Sequence, residues 1–149
     1  MQLLPGFFLE SSMLPRLTKL LSIITIPLLL AACASTPYQQ KQLTGNVSYR
    51  EKIALPPAST MLHLRLLDVS GSGGAAGLLA EQFINHPAHF PVTFALQYDQ
   101  SSITAGAHYE ITTEVYADRE LRMQASTPLP LTGKLLPDSM DVVVKGVGQ

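Results

Sequence analysis

The 149-residue chain has no tryptophan, a single cysteine and only 14% charged residues. One cysteine excludes an intrachain disulfide and every metal centre built from several thiolates. Ten Lys and Arg against 11 Asp and Glu leave a formal charge of -1, without the basic excess that a nucleic-acid partner calls for. The longest apolar stretch, Leu20 to Leu30, is 11 residues, short of the roughly 20 needed to span a bilayer as a helix. Catalytic signatures are missing as well. There is no Gly-x-Ser-x-Gly nucleophile elbow, and the glycine cluster Gly71–Gly77 lacks the Gly-Lys-Ser/Thr ending of a phosphate loop. That cluster reads as a flexible turn between strands. Nothing in the chain points to an enzyme, and no cofactor is implied.

What is present is unevenly distributed. Nineteen of the first 32 residues are apolar, against 50 of the remaining 117. Arg16 and Lys19 precede the apolar stretch, and small residues follow it, the arrangement of a secretory signal. Residues 1–32 therefore read as a signal peptide, with Met13 a well-placed alternative start. Leu30-Ala31-Ala32-Cys33 resembles the lipobox of bacterial lipoproteins. The resemblance implies cleavage between Ala32 and Cys33, a diacylglycerol on the Cys33 thiol and a third acyl chain, such as palmitate, on the new amino terminus. Each buried CH₂ contributes about 0.8 kcal/mol, so several chains give a firm anchor. Ala34, rather than aspartate, follows the cysteine, which under enteric-type sorting implies the outer membrane, with the domain facing the periplasm.

Residues 33–43 carry little apolar content and read as the lipidated terminus and a flexible tether, ahead of a domain over 44–149. Within the domain, period-two alternation predicts a first strand carrying Val47, Tyr49 and Ile53 and ended by Pro56-Pro57, a second from Leu62 to Val69, and others at Val92 to Tyr98, Tyr109 to Val115, Leu121 to Ala125 and Val142 to Val144. Leu78 to Ile84 contains helix formers, but the Pro-containing turn at Asn85–His89 favours a strand. Seven to eight short strands separated by Pro/Gly turns predict an all-β, antiparallel sandwich, preceded by the signal-peptide helix.

The titratable residues make no recognisable constellation. His86 and His89 stand three apart, but Pro87 between them opposes the helix a metal pair would need. His63 falls on the polar side of a strand and is expected to be solvated, and His108 has no serine or carboxylate arrangement around it. Glu110, Glu114 and Asp118 are spaced by four, and alternation puts the first two on an exposed strand face, as a solvating edge feature. No metal site is expected.

The segment Gly45-Asn46-Val47-Ser48-Tyr49-Arg50-Glu51-Lys52-Ile53-Ala54-Leu55-Pro56-Pro57 resembles the YbaY/YscW family of lipoproteins, described as type III secretion lipoprotein chaperones or pilotins. The likeness continues through Leu67-Asp68-Val69-Ser70, Ala80-Glu81-Gln82, Pro91-Val92-x-Phe94-x-Leu96-x-Tyr98-Asp99 and Ile103, Gly106 and Tyr109. It departs from the family at Gly71 to Ala76, where relatives carry an acidic-Ala-Pro-Ala segment, and at Glu120-Leu121-Arg122-Met123, in place of Gly-x-Leu-x-Phe. The resemblance implies a β-sandwich and a non-enzymatic role. The leading expectation is an outer-membrane lipoprotein with a general envelope or protein-binding role. The alternative is a true pilotin that delivers a secretin of a secretion system. Within the shared motif, Tyr49 is expected to pack on the core and Arg50 to pair with Glu51 across strands.

Overall fold

The computed structural model describes residues 37–71 and 76–148. The expected signal peptide and the expected lipobox with Cys33 lie outside them. Seven strands form: β1 (Gln40–Tyr49), β2 (Thr60–Asp68), β3 (Gly77–Asn85), β4 (Val92–Asp99), β5 (Tyr109–Ala117), β6 (Glu120–Leu129) and β7 (Val142–Gly146). They join one curled sheet in the order β3-β2-β5-β6-β7-β1-β4. The expected all-β class and strand count are as found. The two faces of the expected sandwich correspond to β3-β2-β5-β6 and β7-β1-β4, but β6 and β7 link them into a near-barrel through two residue pairs. One pairing is parallel, between β1 and β7.

Alternation accounts for the core. Leu62, Leu64 and Leu66 of β2, Phe94 and Leu96 of β4, and Tyr109, Ile111 and Val115 of β5 all point inward and are buried. Successive side chains on a strand face opposite ways, so the intervening residues form the outer wall. β3 takes the strand state despite its helix formers, because eight of its residues pair with β2.

β1 begins at Gln40, so residues 40–43, expected in the tether, belong to the sheet. Their polar composition hides a full pairing with β4 from Gln40↔Asp99 to Leu43↔Leu96, and Leu43 is completely buried. A clasp fixes this start: the Asp99 carboxylate accepts hydrogen bonds from Gln39 N–H (3.0 Å) and Ser101 N–H (2.9 Å). At its other end β1 stops at Tyr49, and Ile53 is exposed beyond it.

The chain's last strand returns to its first. Thr44 N–H donates to Asp138 C=O, Met140 N–H donates to Thr44 C=O, and Ser139 bridges Thr44 in the same parallel register as Val47↔Val142. Asp141 reinforces the run by accepting from both the backbone and the side-chain amide of Asn46. Gly45 makes the approach possible. A Cβ there would lie 1.9 Å from the Met140 carbonyl oxygen and 2.8 Å from the Phe94 ring.

Gly45→Ala is therefore expected to destabilise the mature chain by about 3 kcal/mol, at the upper end of overpacking costs, because backbone rather than a flexible side chain must move. Denaturant unfolding checks this. Hydrogen bonds from the Ser101 hydroxyl, Gln39 N–H and Ser101 N–H hold the Asp99 carboxyl below its ordinary value of 3.8. Its stabilisation is thus complete above that value and is lost as pH falls through the depressed folded value. The protection of the Gln39 amide in hydrogen exchange is expected to drop in that acidic window, and Asp99→Asn is expected to abolish the drop.

Candidate functional site

β6 and β7 make a hairpin with a 12-residue connection, residues 130–141, and pair only at the end remote from it, at Met123↔Gly146 and Gln124↔Lys145. Arg122 C=O accepts from Val147 N–H just beyond. Alternation then turns the N–H and C=O of Ser126 and the C=O of Pro128 toward β7, and those of Val143 toward β6, where no ladder pairs them. Strand edges left in this state are templates for another extended chain. Pro128 has no N–H to offer, which narrows the open edge to the Ser126–Val143 level.

An open cleft of about 650 Å³ lies over this gap, lined by Arg65, Thr112, Gln124, Ser126, Val143 and Lys145 among others. Its floor follows from register. Arg65 stands opposite Thr112, and Thr112 opposite Ser126. Arg65 Nε and Thr112 Oγ1 are buried there without a hydrogen-bond partner, and Val143 is 37% exposed. The cleft thus offers open backbone donors and acceptors and one apolar contact, over two buried polar side-chain atoms without partners. These are the requirements of an extended peptide segment.

Beside the cleft the outer wall carries a polar network. Glu114 accepts from Arg65 Nη2 (2.8 Å) and Tyr116 Oη (3.1 Å) and lies 3.4 Å from His63 Nδ1. His63 Nε2 meets Glu81 at 2.6 Å, and its ring stacks on Phe83 at 4.2 Å. His63 is therefore largely enclosed rather than solvated, because a stacked ring and two carboxylates cover it. Glu110 and Glu114 are not an edge feature either: β5 lies between β2 and β6, and Glu110 accepts from Ser126 Oγ.

The other sequence-predicted residues are dispersed. His86 lies just after β3, His89 lies in the β3–β4 turn, and the His108 backbone N–H donates to Ser70 Oγ. Asp118 occupies the tight β5–β6 turn with φ of 56°. Among the described residues no group of three or more His, Cys, Asp or Glu is placed to hold a metal ion. Tyr49 is half-buried, meets Phe90 edge to face at 4.9 Å, and donates to Ile53 C=O. Glu51 does not pair with the Arg50 side chain. Its carboxylate accepts from the N–H groups of Arg50 and Gly146, tying the β1 exit to the end of β7. Backbone hydrogen bonds, its own N–H foremost and then that of Gly146, hold the Glu51 carboxyl below its usual range.

A family model described as type III secretion system lipoprotein chaperone (YscW) matches residues 38–142. Among solved structures, an alternative pilotin from the type II secretion system of Vibrio cholerae is similar, with a TM-score of 0.63 and 27% sequence identity. The match covers 74% of this chain and 100% of that one. No curated protein gives a significant match.

The Glu114 network yields a titration test. Its hydrogen bond to Glu114 raises the Tyr116 phenol above the ordinary value of 10.0. Glu114→Gln is expected to bring one tyrosine down toward that value in an ultraviolet titration. The same change is expected to cost about 1 kcal/mol of stability, a modest figure because Arg65 and Glu114 are both partly exposed.

Proposed function

Because the chain belongs to the YscW family of type III secretion system lipoprotein chaperones, we propose that it is a pilotin-type chaperone. Lipid on Cys33 anchors it to the outer membrane, facing the periplasm, and it holds a protein client such as a secretin subunit until assembly. It works by binding and delivery, without catalysis. The observation that carries this reading is the span of the family match, which runs from the residues before β1 to the first residue of β7. It takes in both strands that hold the β7 segment in place and the whole of β6. The similarity to a pilotin over that protein's full length supports the same role.

The cleft between β6 and β7 suits the task. A client segment in extended form pairs with Ser126 or Val143, and its side chains meet Arg65, Thr112 and Lys145. Such binding is reversible by design, since a handful of backbone hydrogen bonds each contribute only about 1 kcal/mol net. A chaperone that must release its cargo needs that modest grip.

Two measurements test the proposal. Cys33→Ser is expected to remove the protein from the outer-membrane fraction; retention of the variant in the outer-membrane fraction would overturn the anchor. A photo-crosslinking residue at Val143, in the anchored protein in cells, is expected to capture an envelope protein that mislocalises when the gene is deleted. An unchanged envelope proteome with normal secretin assembly would instead leave a general envelope lipoprotein without a dedicated client.

A further inference from the structure

The two rims of the barrel differ in chemistry. The lower rim is the end at which β1 begins, and it also gathers the β2–β3, β4–β5 and β6–β7 connections, because β2, β4 and β6 all run toward it. The described residues of those connections, 69–71, 76, 100–108 and 130–141, hold three charged residues among 25, Lys134, Asp138 and Asp141, and the strand ends beside them add Lys41, Asp68 and Asp99. Asp141 is engaged with Asn46 in the wall. The upper connections, residues 50–59, 86–91 and 118–119, hold five charged residues among 18. Asp68 and Asp99 are likewise engaged, with Ser70 N–H and with the N–H groups of Gln39 and Ser101, so the lower rim keeps fewer unengaged charges and is the cheaper end to bring against a lipid surface, where each charge must keep its water.

The lower rim also exposes apolar side chains. Tyr38 is 64% exposed, Leu78 and Leu135 are each 55% exposed, and Val69 is 37% exposed. Leu135 sits in the tight turn closed by reciprocal Thr132 and Leu135 backbone hydrogen bonds, at the tip of the β6–β7 connection. Tyr38 precedes β1, beside the Asp99 clasp. The upper rim exposes Ile53 and Val147 too, but with Arg50, Lys52, Asp118, Arg119 and Arg122 in the segments around them. Aliphatic side chains with a tyrosine at the margin are the composition of a surface that rests at a bilayer interface.

Geometry restricts which rim can reach it. Six residues separate Cys33 from Gln40, so the start of β1 stays within about 25 Å of the lipidated residue even when the chain is fully extended. We propose that the lower rim of the barrel is a lipid-contacting surface, on which Tyr38, Val69, Leu78 and Leu135 rest against the phospholipid interface. This rests on the lipid anchor at Cys33. It orients the charged rim away from the membrane and turns the β6–β7 cleft to the side, open to a client lying along the bilayer.

The test uses the full mature, lipidated chain in vesicles of phosphatidylethanolamine and phosphatidylglycerol that also carry a spin-labelled lipid. With the Cys33 thiol occupied by lipid, the variants Leu78→Cys, Leu135→Cys and Ile53→Cys each present one thiol for an environment-sensitive fluorophore. Labels at Leu78 and Leu135 are expected to be quenched by the spin-labelled lipid at least threefold more than the label at Ile53. Equal quenching at the two rims, or stronger quenching at Ile53, overturns the orientation. Vesicle flotation reads the anchor separately. A chain that floats with equal quenching loses the orientation alone, whereas a chain that fails to float loses both the anchor and the orientation that depends on it.

Discussion

The parallel alignment of the chain's final strand on its first strand governs the rest of the structure. From Asp138 to Val144 the backbone follows β1 from Thr44 to Tyr49 in one register, held by backbone hydrogen bonds and by Asp141 on Asn46. Two strands in a parallel pair need a crossover, and here the entire intervening domain supplies it. The alignment tolerates no side chain at Gly45. β7 holds to β1 along this register but meets β6 at only two residue pairs, which leaves the lower part of their hairpin open. The cleft lies where β7 stays with β1 and parts from β6.

Under the proposed function the chain must bind without committing its client to a stable complex. The β6–β7 gap offers few backbone groups, with Pro128 blunting the edge, so a client bound there would gain orientation more than affinity. The neighbouring network of His63, Arg65, Glu81, Glu114 and Tyr116 keeps the outer wall polar and mostly self-satisfied. The opposite seam is guarded differently: Gln82 Oε1 on β3 accepts from Ala95 N–H on β4 at 2.9 Å, capping one otherwise free donor. One side of the barrel is therefore latched by a side chain and the other is left accessible.

Where local chemistry decides the structure, the sequence was readable. Strict alternation in Leu62 to Leu66, Val92 to Tyr98 and Tyr109 to Val115 placed the strands and their buried faces, because the pleat has period two. The family resemblance carried by Tyr49 to Pro57 agrees with the match over residues 38–142. What escaped reading depends on partners far away in the chain. Gln40 to Leu43 look like a linker until β4 is set beside them, and nothing in Val142 to Val144 announces a parallel neighbour 95 residues earlier. His63 and Glu114 read as solvated for the same reason, since Phe83, Glu81 and Arg65 reach them only once β3, β2 and β5 pair. The gap between β6 and β7 left only Pro128 and Pro130 as local hints.

The β1–β7 alignment has a consequence for the order in which the protein can be made. A chain delivered through a narrow pore with its amino terminus first presents β1 early and β7 last. The wall that encloses the core cannot be completed until the final dozen residues are through, and contacts spanning so much of the chain form slowly. A chain exported amino terminus first, as the proposed anchor requires, would therefore stay open beyond the pore until β7 emerges, and its barrel would close last along the β1–β7 wall.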